Sequence, residues 1–208
     1  MTPRHDKSPN PSIVFLKAWL RSPLKVGAIA PSGGPLARAM ARAVPKGSTL
    51  PVVELGGGTG EVTKALLKVL PAERLLVVER DPALYGLLRR RYPDVAVIHG
   101  DAVHLRRLLH ERGIERVAAV VSCLPLVAMS KRVQQAILRE TIAVLDEGAP
   151  LIQFTYSLFS PVSRRDLGLV GRPVARVLQN VPPASVWVYR RRAEAEVRDA
   201  PPRRRVKG

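Results

Sequence analysis

The stretch Glu54-Leu55-Gly56-Gly57-Gly58-Thr59-Gly60 sets four glycines directly behind a carboxylate. A turn that bare serves a positive φ, or lets a ligand approach where a Cβ would collide. An apolar run, Val52 to Leu55, precedes it and a helical pattern follows, so the turn joins a strand to a helix and touches a ligand. Two more carboxylates recur in matching places: Glu79 closes the run LLVVE, and Asp101 follows VAVIHG. Acids at the carboxyl ends of three successive strands stand where open sheets bind ligands. Phosphate motifs do not fit the spacing. A dinucleotide fingerprint begun at Gly56 requires a small residue where the chain has Glu61, and a P-loop requires Lys-Ser/Thr where it has Glu61-Val62. An acid in the first helical turn also competes with a pyrophosphate for the helix dipole. Taken singly, each acid has a plainer reading: Glu79 paired with Arg80, Asp101 as an N-cap, Glu54 solvated.

The elements that must hold these residues alternate. The runs LPVVEL, RLLVVE, VAVIHG, VAAVVS and APLIQFTY read as strands, separated by helices from about Glu61, from Pro82, through His110 and from Ser130. Such alternation gives a mostly parallel sheet covered by helices on both faces, the doubly wound α/β class. After Tyr156 the pattern changes, and VARVLQNV and SVWVYRR, joined through Pro182, Pro183 and Ala184, read as an antiparallel hairpin.

A doubly wound sheet ending in such a hairpin resembles the seven-stranded class I methyltransferase fold, whose cofactor is S-adenosylmethionine, and E-L-G-x-G-x-G resembles that family's motif I. The resemblance implies roles. The backbone at Gly56, Gly58 and Gly60 would lie under the methionine and ribose parts, and Glu54 would orient the ammonium. Glu79 would accept the ribose hydroxyls, Asp101 and the Ala102 backbone would meet the adenine, and Ser32 and Ser122 would complete the set.

The chain carries a formal charge of +17 and a pI near 11.2, which calls for a polyanionic partner, nucleic acid or an anionic membrane. No apolar stretch reaches the roughly 18 to 20 residues that cross a bilayer, and the amino terminus lacks the apolar core of a secretory signal. A lone cysteine, Cys123, excludes an internal disulfide and supplies no metal cluster, so no metal is expected. Residues 1–11 and 193–208 read as a disordered leader and a basic flexible tail. Between them the expected parts are an amphipathic membrane-binding helix and cofactor lid at 12–33 and, by the resemblance, a class I methyltransferase domain at 34–192. The expected location is cytoplasmic.

The acceptor is read partly by absence. Amino methyltransferases acting on adenine or cytosine carry Asn/Asp-Pro-Pro-aromatic after strand four, where this chain has Ser122-Cys123-Leu124-Pro125-Leu126. Aromatics make up only 4% of residues, too few for a surface that stacks bases. FLKAWLRSPLKVGAIAPSG (15–33), ELGGGTG (54–60), VVSCLPL (120–126), QFTYS (153–157) and NVPPASVWVYRR (180–191) resemble the bacterial soluble phospholipid N-methyltransferases, which convert phosphatidylethanolamine toward phosphatidylcholine. The likeness runs from about Ser12 to Arg191; that family often has Pro at the position of Gly57 and Gly at that of Cys123.

The segment from Ile13 to Arg21 suggests a lipid reading in its own pattern. Ile13, Leu16 and Leu20 share a helical face with Phe15 and Trp19, while Lys17 and Arg21 form an i, i+4 pair, as in a helix lying on an anionic membrane. Its alternative is an amphipathic helix docked on the sheet. Arg38, Arg42 and Lys46 form a further basic stripe, read as a solvated face. Lys25 and Arg190 are candidates for the lipid phosphate, and Tyr156, at the end of strand five, for positioning the amine, with a core tyrosine as its alternative. Gln153 sits too early in its strand to reach that edge, Trp187 reads as packing, and His99 and His104 flank Asp101 as packed or surface residues. The expected enzyme methylates the ethanolamine headgroup at the inner face of the cytoplasmic membrane. RNA methylation and a non-catalytic binding module are the rival readings.

Overall fold

A computed structural model describes residues 33–156, 160, 162, 167–180 and 183–192. Phe15, Lys17, Trp19, Arg21, Lys25 and Ser32 lie outside the described residues, as do the expected leader and basic tail.

Helix α1 (Gly34–Arg42) opens the described chain, and β1 (Val52–Leu55), α2 (Glu61–Leu66), β2 (Leu75–Glu79), α3 (Pro82–Arg91) and β3 (Ala96–His99) follow. Then come α4 (Leu105–His110), β4 (Ala119–Ser122), α5 (Lys131–Val144), β5 (Leu151–Thr155), β6 (Leu169–Val177) and β7 (Ala184–Arg191). These form one seven-stranded sheet in the order β3-β2-β1-β4-β5-β7-β6, parallel from β3 through β5 and antiparallel at β7 and β6. The expected class, doubly wound and closed by a hairpin, is the one the chain adopts.

Burial explains the strand sequences. Every residue of β1, β2, β4 and β5 is buried, which suits β-branched runs covered on both faces, whereas edge strand β3 is buried only at Ile98. One core, with Leu36, Met40, Leu66, Val77 and Leu88, lies under α1 to α3; the other, with Leu105, Leu109, Val120, Ile137 and Leu138, lies under α4 and α5. Helix starts follow local chemistry. Asp81 caps α3 by accepting the Ala83 and Leu84 N–H groups, with Pro82 in the first turn, and Ser130 caps α5 through the Val133 N–H.

Two boundaries differ from the sequence reading. β6 begins at Leu169 and ends at Val177, so Leu178 to Asn180 form the turn instead of continuing the strand. Pro173 masks the strand in sequence, and is tolerated because β6 is the sheet edge and a bulge between Pro173 and Ala175 relaxes the pairing. The helix following β3 is preceded by a single 3-10 turn, Ala102–His104, capped by Asp101.

Leu88 ties the core to the glycine turn. It is fully buried, and a Cβ placed on Gly57 would sit 2.7 Å from its Cδ1 and 2.5 Å from Cγ1 of Val77. Leu88→Ala should cost about 2–5 kcal/mol in urea unfolding, by lost burial plus a residual cavity. A loss below about 1 kcal/mol would show that the turn does not rest on this side chain.

Candidate functional site

The strands β1 to β4 point their carboxyl ends to one edge, where the turns behind them enclose a cavity of about 310 Å³. Gly56, Glu79, Asp101, Ala102, Cys123 and Leu124 line it, joined by Met129, Val133 and Ile137 as an apolar wall. The dimensions are those of a small-molecule site.

The glycine turn is built as its spacing suggested. Gly56, Gly58 and Gly60 have φ of 76°, 56° and 89°, the left-handed region that side chains avoid. Among the described residues, apart from its chain neighbours, nothing stands within 4 Å of the place a Cβ would take on Gly58, although Gly58 itself is buried and it is Gly56 that lines the cavity. Gly60 opens α2 and is covered by Tyr92, whose hydroxyl donates to the Gly60 carbonyl at 2.9 Å. Burial pushes the Tyr92 phenol up.

Glu79 does more than line the cavity. Its carboxylate accepts the Gly58 N–H at 3.0 Å and the Asp81 N–H at 2.8 Å, bracing the turn after β1 from the end of β2. A carboxylate holds about four lone-pair sites, so it retains capacity for ligand hydroxyls. The plain reading of Glu79 as a partner of Arg80 does not hold, because Arg80 pairs with Asp101 at 3.5 Å. Asp101 combines two roles: Oδ1 caps the turn at Val103 N–H, while the residue lines the cavity beside Ala102.

Glu54 is fully buried instead of solvated. It accepts the Thr63 hydroxyl at 2.7 Å and the Cys123 thiol at 3.8 Å, behind the cavity wall. Burial pushes its carboxyl up to about 8, with Glu79 adding like charge and the Thr63 and Cys123 bonds working the other way. The Cys123 thiol is also pushed up, first by burial and then by Glu54. Ser122 is buried, and its hydroxyl accepts the Leu124 N–H, so it shapes the turn after β4 without lining the cavity.

Tyr156 is half-buried beside Phe154, with ring centroids 5.4 Å apart at 72°. Burial, opposed by the bond from the Asn180 side chain, pushes its phenol above the ordinary tyrosine range, and Tyr156 is not among the residues that line the cavity. Gln153, buried in β5, donates to the Leu124 carbonyl at 3.0 Å, holding the turn that forms the apolar wall. Trp187 stacks on Tyr189 inside the second core, as packing. His99 stacks on Tyr85 and bonds the Arg80 carbonyl, and His104 is exposed.

Arg190 requires a correction. β7 runs antiparallel to β5, pairing Thr155 with Ser185 and Leu151 with Tyr189, so its end lies at the amino edge of the parallel strands. Arg190 accordingly donates to the Gly148 carbonyl, on the opposite edge from the cavity, and does not converge with Tyr156 or Glu79. Sequence reasoning read Leu124 and Pro125 only as the absence of an amine clamp and missed Met129 and Ile137 of the wall; Met129 ends the apolar Pro-interrupted run after β4, and Ile137 lies on the buried face of α5.

Comparisons with known proteins agree with this geometry. Residues 52–148 match the family described as Methyltransferase domain. Over 186 residues the chain is 33% identical to the ornithine lipid N-methyltransferase of Singulisphaera acidiphila, covering 85% of this chain and 94% of that one. A ribosomal RNA small subunit methyltransferase A of Chlorobium phaeobacteroides is 36% identical over 63 residues, 29% of this chain and 23% of its own. Among solved structures, TrmN from Thermus thermophilus superposes with a TM-score of 0.58 at 20% identity, over 89% of this chain and 55% of that one. The glycopeptide N-methyltransferase MtfA in complex with S-adenosylmethionine does so with 0.58 at 12%, over 77% and 95%.

The cavity-lining Gly56 backbone and the carboxylates of Glu79 and Asp101 fit S-adenosylmethionine, the cofactor. Two outcomes follow from the electrostatics. Glu79→Gln should weaken S-adenosylhomocysteine binding about tenfold or more by calorimetry, with an unchanged circular dichroism spectrum. Unchanged affinity would remove Glu79 from the cofactor site. Glu54 ionises near 4.5 when unfolded and near 8 when folded, so the native state holds an extra proton across that window and loses stability as pH rises through it. In the cofactor-free protein, Glu54→Gln should therefore melt a few degrees above wild type at pH 8.5, the gap shrinking towards pH 5. A gap independent of pH would contradict the buried neutral carboxyl.

Proposed function

Because the chain belongs to the class I S-adenosylmethionine-dependent methyltransferases, we propose that it methylates the primary amine of a membrane lipid headgroup. The observation that carries this reading is the 33% identity that spans 94% of an ornithine lipid N-methyltransferase. Two headgroups meet the description. The relative favours an ornithine amine, and the motif resemblance favours phosphatidylethanolamine on the route to phosphatidylcholine; both present a primary alkylammonium.

The chemistry sets what the residues must do. When bound, S-adenosylmethionine supplies an electrophilic methyl on its sulfonium. Gly56, Gly58, Glu79, Asp101 and Ala102 hold it, on this reading, at the carboxyl edge. A primary alkylammonium has a pKa of about 10.4, so the amine must shed a proton before its lone pair can attack. The apolar wall of Leu124, Met129 and Ile137 lowers that pKa by desolvating the cation. Tyr156, whose burial keeps its phenol neutral, offers the amine a hydrogen-bonding oxygen and a ring face without acting as a strong base. The proton leaves to water.

Nucleic acid is disfavoured as acceptor. The turn after β4 presents Cys123, Leu124 and Pro125 to the cavity, with neither an amide clamp nor a stacking aromatic. The net charge of +17 suits an anionic bilayer at the inner face of the cytoplasmic membrane. Among the described residues no helix is long and apolar enough to cross a membrane.

The test is direct. Purified protein, methyl-labelled cofactor and anionic liposomes carrying either phosphatidylethanolamine or ornithine lipid should yield labelled lipid, at a rate that rises with pH as more amine is neutral. The more active liposome identifies the headgroup. Label in total RNA, or in neither, would overturn the proposal.

A further inference from the structure

Asn180 carries no assigned role, yet its placement joins three parts of the catalytic edge. It lies in the turn between β6 and β7 and is only 4% exposed, although it is a polar residue on a loop. Its Oδ1 accepts the Gly33 N–H at 3.1 Å, across 147 residues of chain, and Gly33 immediately precedes α1. The fit is close: a Cβ on Gly33 would meet that same Oδ1 at 2.8 Å. The same side chain hydrogen-bonds Tyr156.

An amide has one carbonyl oxygen and one NH2 group, and here they are divided. Oδ1 accepts the Gly33 N–H, and the bond from Asn180 to Tyr156 favours the ionised phenol, which a donor does and an acceptor does not, so Nδ2 serves the phenol and Tyr156 Oη accepts. The phenol proton is then directed away from Asn180. Burial of the amide in a low-dielectric site makes both bonds costly to lose, so the orientation is fixed instead of averaged.

We propose that Asn180 is the positioning residue of the acceptor site, clamping Tyr156 Oη through Nδ2 while Oδ1 fixes the Gly33 backbone at the start of α1. This rests on Tyr156 facing the lipid amine, as argued above. One side chain thereby couples the orientation of that phenol to the point where the chain enters α1. Asn180 acts through Tyr156 and meets no reacting atom itself.

Asn180→Asp separates the two bonds, since a carboxylate still accepts the Gly33 N–H but cannot donate to Tyr156. In the liposome assay it should lower kcat about tenfold or more, with KM and S-adenosylhomocysteine affinity within about twofold of wild type. In a Tyr156→Phe background it should have no further effect. Equal effects in both backgrounds, or wild-type kcat, would overturn the proposal. A second readout needs no substrate. With 13Cζ-labelled tyrosine, the resonance lost in Tyr156→Phe should shift in Asn180→Asp; an unmoved resonance refutes the clamp even if wild type methylates no lipid, an outcome that would instead sink the lipid reading. Should Asn180→Asp fail to fold, the side-chain amide resonances of Asn180, compared between wild type and Tyr156→Phe, must differ if the bond exists.

Discussion

The carboxylate of Glu79 on the Gly58 and Asp81 backbone N–H groups is the constraint from which the site follows. Glycines at positive φ lose more conformational freedom on folding than other residues, so a turn with three of them needs an external brace. Glu79 supplies that brace from the neighbouring strand, and the parallel register that pairs Leu55 with Val78 brings it there. Because the brace is a charged acceptor with lone pairs remaining, structural support and ligand recognition reside in one side chain.

Behind this brace lies a second carboxyl in a different environment. Glu54 has no solvent exposure, and it meets Thr63 and Cys123 where Glu79 meets backbone N–H groups and the cavity. The contrast is environmental: two glutamates at the ends of adjacent strands, one supported by oriented dipoles, the other desolvated among core residues. On the lipid reading, the apolar wall after β4 completes the arrangement, since a site that must strip a proton from an ammonium gains from a surface that cannot solvate it.

Much of this was legible in the sequence. The glycine turn, the acids at successive strand ends and the strand-helix alternation are local patterns whose physical causes, φ limits and burial period, act over a few residues. What escaped reading depends on non-local geometry. Arg190 is a candidate for the lipid phosphate by its charge at the end of the last strand, and the register of β7 on β5 carries it to the other edge. Pro173 hid the first half of β6, because nothing local says that the strand is an edge strand with a bulge. Asn180 meets Gly33 across 147 residues, and Glu54 is neutralised by the closure of two cores around it, events that no spacing rule encodes.

The most direct test of the cofactor seat is a crystal structure with S-adenosylhomocysteine bound. The expected density places the ribose hydroxyls on the Glu79 carboxylate, still bonded to Gly58 N–H, with the adenine beside Asp101 and Ala102. A nucleoside lodged elsewhere, or a Glu79 swung away from the glycine turn, would contradict the account at its base.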